Sequence, residues 1–328
     1  MKKVSLILFS LIISFFLAEI LLRVAGFQPW EYQSSKWPII YKEDQILGWK
    51  SVEGLYEFNK DDKSRSFFMN IENFGNRFNG KKINTREPSI LFIGGSFTQG
   101  NGVDDNKTFA YRIQKKFNNY SVVNYGHGGY GGLQSLLLLK EEIIKFEDPR
   151  LIVYGFIDHH EYRNVARSAW LATLTKHLNQ NTKKPKVPYA TLNDNEDLII
   201  NAPISYITIP LRENLASVVL LEKFLNKQIS KKRKRIQKKV TKKIIKNMDK
   251  LSSAYNSKFL VVILNWSNQY SNEEYKKYLV KNKINFVDCK IKLDNETLLK
   301  NDYHPNSKGH ELYGNCILNY INKEKLLL

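Results

Sequence analysis

Three short segments carry residue types suited to nucleophilic chemistry. The first reads Gly94-Gly95-Ser96-Phe97-Thr98-Gln99-Gly100 directly after an apolar run, which puts a serine hydroxyl on a tight strand-to-helix turn with its N–H among helix-start donors. It is not a phosphate loop, because Asn101 stands where that loop carries lysine, and not a GxSxG elbow, because Thr98 takes the last glycine position. The second, residues 124–132, holds five glycines in nine residues around His127 and Tyr130. Such a loop lets the backbone approach a substrate closely and turn N–H groups toward a developing oxyanion, although a plain flexible connection has the same composition. The third, Asn301-Asp302-Tyr303-His304-Pro305-Asn306, puts an acid and an imidazole on one short loop before a helix, as an alkoxide nucleophile requires. A fourth cluster, Asp158, His159, His160 and Glu161, has metal-ligand chemistry. Neighbours on an extended segment face opposite ways, however, and a serine with a histidine already supplies nucleophile and base, so no metal and no other cofactor is expected.

These segments need a scaffold that delivers them to one place. Apolar runs of strand length recur at residues 89–93, 121–124, 151–156, 259–264 and 285–288, and helix-length segments at 108–117, 133–146, 210–255, 273–281 and 307–322. The alternation predicts an α/β fold whose mainly parallel five-stranded sheet is covered on both faces, with chemistry at the strand ends. At 328 residues, 42% hydrophobic and 25% charged, the chain builds such a core without metal or disulfide staples, and neither global disorder nor a miniprotein fits. Residues 161–209, with Pro185, Pro188 and Pro203, read as an inserted lid or cap in which 201–209 supplies hairpin strands; residues 24–85 read as an irregular lead-in folded onto the main domain. No internal repeat or Gly/Ser linker divides the chain.

Together the three segments resemble the SGNH (GDSL-type) hydrolases over roughly residues 86–160 and 284–320, and Asp44 to Trp49 (Asp-Gln-Ile-Leu-Gly-Trp) resembles the lead-in pattern of that family. The resemblance implies a three-layer, flavodoxin-like fold and assigns Ser96 as nucleophile, Asp302 and His304 as its acid and base, and the N–H groups of Ser96 and Gly129 as oxyanion donors. Three departures accompany it. Gly95 replaces the acidic residue of Gly-Asp-Ser. The usual acid position three before the histidine is Asn301, so Asp302 serves from two before. In the third block, which normally supplies an asparagine amide, strand register puts His159 in that place, where an imidazole N–H would donate instead.

The N-terminus and the charge bear on where such an enzyme works. Lys2 and Lys3 precede residues 4–22, whose only charge is Glu19; at about 1.5 Å per residue they reach about 28 Å, enough to span a bilayer. Residues 1–23 therefore read as an uncleaved signal anchor with a cytoplasmic N-terminus and an extracytoplasmic domain of residues 86–328, although a cleaved signal or a buried helix has the same apolar composition. Lys and Arg total 51 against 32 Asp and Glu, a formal charge of +19, and between Lys227 and Lys250 there are 12 basic residues with only Asp249 as acid. Leu225, Ile229, Ile236, Val240, Ile244, Met248 and Leu251 form a helical stripe expected to dock on the sheet and send the lysines outward, toward solvent, anionic lipid or acidic glycan; no nucleic-acid motif accompanies them. Cys289 and Cys316 fit either one bridge or two buried small side chains. The expected activity is serine-dependent hydrolysis or transfer of an acyl ester on a glycan or lipid. The alternative is a non-catalytic envelope protein of the same fold that binds glycan or an anionic membrane surface.

Overall fold

The computed structural model describes residues 2–33, 38–59, 66–176, 184–265, 269–300 and 302–327. Five parallel strands form the central sheet: β5 (Pro88–Gly94), β6 (Ser121–Gly126), β7 (Asp148–Ile157), β10 (Lys258–Asn265) and β11 (Asn285–Asp288), in the order β11-β10-β7-β5-β6. All five match the apolar runs of the sequence. Their alternation sorts side chains into two cores, Leu91, Ile93, Val123 and Ile152 on one face and Ile90, Phe92, Val122 and Leu151 on the other. Helices α4 (Gly132–Glu142), α7 (Ala216–Ala254) and α8 (Gln269–Lys281) cover the first face, and α3 (Phe109–Lys116) and α9 (Ser307–Lys323) the second, which completes three layers.

The lead-in is more regular than its composition suggests. Strands β1 (Tyr41–Asp44) and β2 (Gly48–Ser51) pair antiparallel, as do β3 (Gly54–Phe58) and β4 (Phe67–Ile71). In β4, Phe67, Met69 and Ile71 are buried while Phe68 faces out, a period-two signal too short to stand out among the surrounding Asn and Lys residues. The insertion also differs in detail. It starts with helices α5 (His159–Asn164) and α6 (Ser168–Lys176), and its hairpin is β8 (Val187–Leu192) with β9 (Leu198–Ile204). Only the first four residues of the expected 201–209 strand segment are strand. Beyond them, both backbone groups of Ile207 are taken by the Asn226 side chain of α7, at 3.0 and 2.8 Å.

Helix α7 docks as expected only in its second half, where Val240, Ile244 and Met248 are buried; Leu225 and Ile229 of the predicted stripe are exposed. A disulfide joins Cys289, just after β11, to Cys316 in α9 and encloses the loop that carries Asp302 and His304. Helix α1 (Lys2–Val24) is long and apolar enough to cross a membrane, and Glu19 is its one buried side chain among those described.

Candidate active site

Strand β5 ends at Gly94, level with Gly126 of β6 and Gly155 of β7. A Cβ on Gly94 would lie 2.2 Å from Thr98 Oγ1 and 2.9 Å from the Gly155 carbonyl, so only glycine lets the short helix α2 (Ser96–Gln99) fold back over the strand ends. That turn leaves Ser96 at the C-terminal edge of the sheet. The partner loop arrives from 208 residues away: His304 Nε2 is 2.8 Å from Ser96 Oγ, and His304 Nδ1 is 2.6 Å from Asp302 Oδ1, which also accepts the His304 backbone N–H at 3.0 Å. Burial pushes the Asp302 carboxyl up, but the His304 ring and the N–H groups of His304 and Tyr303 more than offset it and hold the carboxyl below its ordinary range. Asn306 shapes the loop by capping α9 through the Lys308 and Gly309 N–H groups, and its amide donates to the Glu296 and Leu298 carbonyls. Asn301 lies outside the described residues. Such an arrangement is chemically able to supply an alkoxide nucleophile, a base for its proton, and an acid that orients the base.

The glycine loop runs beside this turn, since His127 N–H donates to the Gly94 carbonyl at 3.1 Å. Gly129 adopts φ +80°, and a Cβ there would be 3.0 Å from the Trp49 indole, so both conformation and space require glycine. Among the described residues no hydrogen bond uses the N–H of Ser96 or of Gly129, which leaves both donors available. The lead-in supports the loop in a way the motif pattern alone does not reveal. Trp49 Nε1 donates to the Gly128 carbonyl at 3.1 Å, and the Tyr41 hydroxyl accepts the Gly128 N–H at 2.9 Å while donating to Gln99 Oε1 at 3.0 Å. Burial pushes the Tyr41 phenol up to about 12, so it serves as a neutral donor and acceptor.

The third block departs from the strand-register expectation. His159 is the first residue of helix α5, past the end of β7, with its ring 5.3 Å from Tyr162 and its Nε2 3.8 Å from Asp158 Oδ1. Burial first, then the Arg163 guanidinium, hold its imidazole below the ordinary value, and the nearby His304 acts in the same direction. His159 is therefore a neutral ring packed against Tyr162, and among the described residues it makes no hydrogen bond to the glycine loop. The neighbouring groups diverge: His160 Nδ1 lies 2.6 Å from the Tyr154 hydroxyl, and Glu161 Oε2 accepts from Gln237 at 2.9 Å. The glycine at position 95 also has a physical reason here. A Cβ on it would meet His160 Nε2 at 2.9 Å and Arg163 Nη1 at 3.4 Å, so these two side chains occupy the space where the sequence resemblance expects an acidic one.

Arg77 is the residue that sequence reading missed most completely. Fully buried, it donates from Nε to Asp105 at 2.6 Å, from Nη1 to the Gln99 and Gly100 carbonyls at 3.0 and 2.5 Å, and from Nη2 to the Phe68 and Val103 carbonyls at 3.1 and 2.5 Å. It therefore ties β4 to the unpaired carbonyl end of the helix that carries Ser96. Its only trace in the sequence is an arginine in a stretch already rich in Lys and Arg.

No family model matches the chain, and no curated protein sequence does. Among solved structures, the crystal structure of TesA is 12% identical with a TM-score of 0.41, covering 72% of this chain and 98% of that one. A lipolytic protein of the G-D-S-L family from Veillonella parvula is 11% identical with a TM-score of 0.42, covering 72% and 98%. An acetyl xylan esterase, Axe2, from Geobacillus stearothermophilus is 12% identical with a TM-score of 0.40, covering 73% and 97%. With likeness this distant, what the site can do is decided by its own atoms.

Proposed function

We propose that this chain is a membrane-anchored, extracytoplasmic serine enzyme of SGNH type that hydrolyses or transfers an acyl ester. The observation that carries the reading is the hydrogen-bonded series Ser96 Oγ, His304 Nε2, His304 Nδ1, Asp302 Oδ1. In the reaction His304 removes the Ser96 proton as Oγ attacks the ester carbonyl, and the tetrahedral oxyanion is stabilised by the N–H groups of Ser96 and Gly129. His304 then gives the proton to the departing alkoxide oxygen, leaving an acyl ester on Ser96. A second hydroxyl, deprotonated by His304, attacks that ester: water releases the acid, and a sugar hydroxyl yields a new ester. Asp302 remains a carboxylate throughout and stabilises the imidazolium.

Helix α1 as a signal anchor, with Lys2, Lys3 and the N-terminus on the cytoplasmic side, supports placing the remaining domain outside. The Cys289–Cys316 bridge supports the same compartment, because disulfides persist where the surroundings are oxidising. The substrate class is an acylated glycan or a lipid ester, with the Lys227 to Lys250 segment facing anionic headgroups or acidic glycan and no role for nucleic acid. A fluorophosphonate probe tests the chemistry: wild type is expected to be labelled and Ser96→Ala is not. Absence of Ser96-dependent labelling would favour a non-catalytic envelope protein that binds glycan or membrane.

A further inference from the structure

After a first turn in which Ala216 and Val219 are buried, α7 reverses its polarity over residues 221–230. Glu222, Asn226 and Ser230 face inward, where Glu222 pairs with Arg212 at 3.2 Å, Asn226 holds the Ile207 backbone, and Ser230 bonds Ser168 at 3.0 Å. Leu221, Phe224, Leu225 and Ile229, at i, i+3, i+4 and i+8, face outward, and Phe224 is 57% exposed. A helix packed on a soluble domain under water has the opposite arrangement. Ile207 and Leu211, just before the helix, are exposed as well.

A second observation fixes where this face lies relative to α1. Glu19, only 6% exposed on the otherwise exposed α1, accepts the Ala216 and Ser217 N–H groups at 2.8 and 3.0 Å and the Arg23 guanidinium at 2.9 Å, while Arg23 donates to the Asn214 carbonyl. Glu19 is thus the cap for the start of α7, and it lies five residues before the end of α1, about 7.5 Å along the helix axis. The start of α7 is pinned at the depth of the last turn and a half of the apolar helix.

We infer that residues 216–229 of α7 lie in the interfacial layer of the bilayer that α1 crosses, apolar face toward the acyl chains. The inference rests on reading α1 as a span. The charge pattern matches. Lys227 and Lys231 flank the apolar face on one side, and Lys232 and Arg235 continue its line as the helix proceeds, at the level of anionic headgroups. Beyond them α7 returns to the domain and braces α5 and its C-terminal end, with Arg233 donating to the Val165 carbonyl, Gln237 to Glu161, and Asn164 to Thr241. One rigid helix therefore joins membrane and active-site wall, which holds the catalytic cleft at a fixed height and tilt above the bilayer and leaves it no free tether.

The test uses the full chain reconstituted in phosphatidylcholine vesicles with phosphatidylglycerol. An environment-sensitive fluorophore is placed on one introduced cysteine at a time: Ile13→Cys in the span, Phe224→Cys on the proposed face, with Leu221→Cys as a second site there, and Lys308→Cys on the far helix α9. Circular dichroism checks that each folds. Nitroxide-labelled lipid is expected to quench Ile13→Cys and Phe224→Cys about threefold more than Lys308→Cys, and aqueous iodide to do the reverse. Lipid quenching at Ile13→Cys with iodide quenching at both Phe224→Cys and Leu221→Cys would overturn the inference and leave the span intact. Lipid quenching at neither helix would overturn both, and quenching on α7 alone would keep the interfacial helix while removing the span.

Discussion

Arg77→Met keeps the length and apolar stem of the side chain while deleting five N–H donors. Among the described residues it leaves Asp105 with only the Asn70 N–H and strands the carbonyls of Phe68, Gln99, Gly100 and Val103. Each buried acceptor left unpaired costs about 1–3 kcal/mol, but the losses are not additive and water refills part of the space, so the measured loss is expected at about 3–5 kcal/mol, the scale for breaking a buried ion pair. For a domain of this size that lowers the melting temperature by about 5–8 °C. Arg77→Lys restores one point charge that cannot reach carbonyls on both sides of the fork, and should recover less than half of the loss. Because Arg77 also secures the end of the Ser96 helix, the rate of fluorophosphonate labelling should fall even at temperatures where the variant is folded. Urea denaturation of wild type, Arg77→Met, Asp105→Asn and the double variant in detergent gives the coupling energy directly, expected to be above about 1 kcal/mol. A single variant within about 1 kcal/mol of wild type, with effects that simply add to those of Asp105→Asn, would refute the view that this arginine organises the nucleophile turn.

Three other outcomes follow from the site and its supports. If Asp302 stabilises the imidazolium as proposed, Asp302→Asn should lower kcat/KM for a model acyl ester by about 10⁴ while the fold is kept; a loss under tenfold would rule out that role for Asp302. Burial holds His127 down to about 4, so the unfolded chain takes up this proton near pH 6.5 and the folded one does not until near pH 4. That contribution to stability is present in full above pH 6.5 and is lost as pH falls toward 4, by about 3 kcal/mol, and His127→Gln should flatten this part of the urea-midpoint curve; an unchanged slope would count against it. The Cys289–Cys316 bridge closes a loop across 27 positions, and the double serine variant should lose about 3.5 kcal/mol by the chain-entropy relation, read in the same urea assay against oxidised wild type, with reduced wild type matching the variant. A change below about 1 kcal/mol would mean that hydrogen bonds alone hold the His304 loop.

What the chain reveals unfolded is whatever depends on near neighbours. The five strands, the glycines at Gly94 and Gly129, Asp302 two residues before His304 and the apolar helix at the N-terminus are local patterns of period, turn chemistry and spacing. The hairpins of the lead-in were hidden because a five-residue alternation such as Phe67–Ile71 is too short to rise above an Asn- and Lys-rich background. Strand register carried two residues past the end of β7 reaches His159, but the backbone turns into α5 there, and a helix start does not follow the strand's alternation. Other features have no local signature at all. Arg77, Tyr41 and Trp49 matter because of carbonyls and hydroxyls brought to them from elsewhere in the chain. Helix α7 shows the limit most plainly. Leu225 with Ile229 and Val240 with Ile244 have the same spacing and the same chemistry, yet the first pair faces out and the second faces in. Periodicity records that a helix has an apolar face. Which surface that face meets depends on Glu19, Asn226 and the sheet, groups that only the tertiary structure gathers around it.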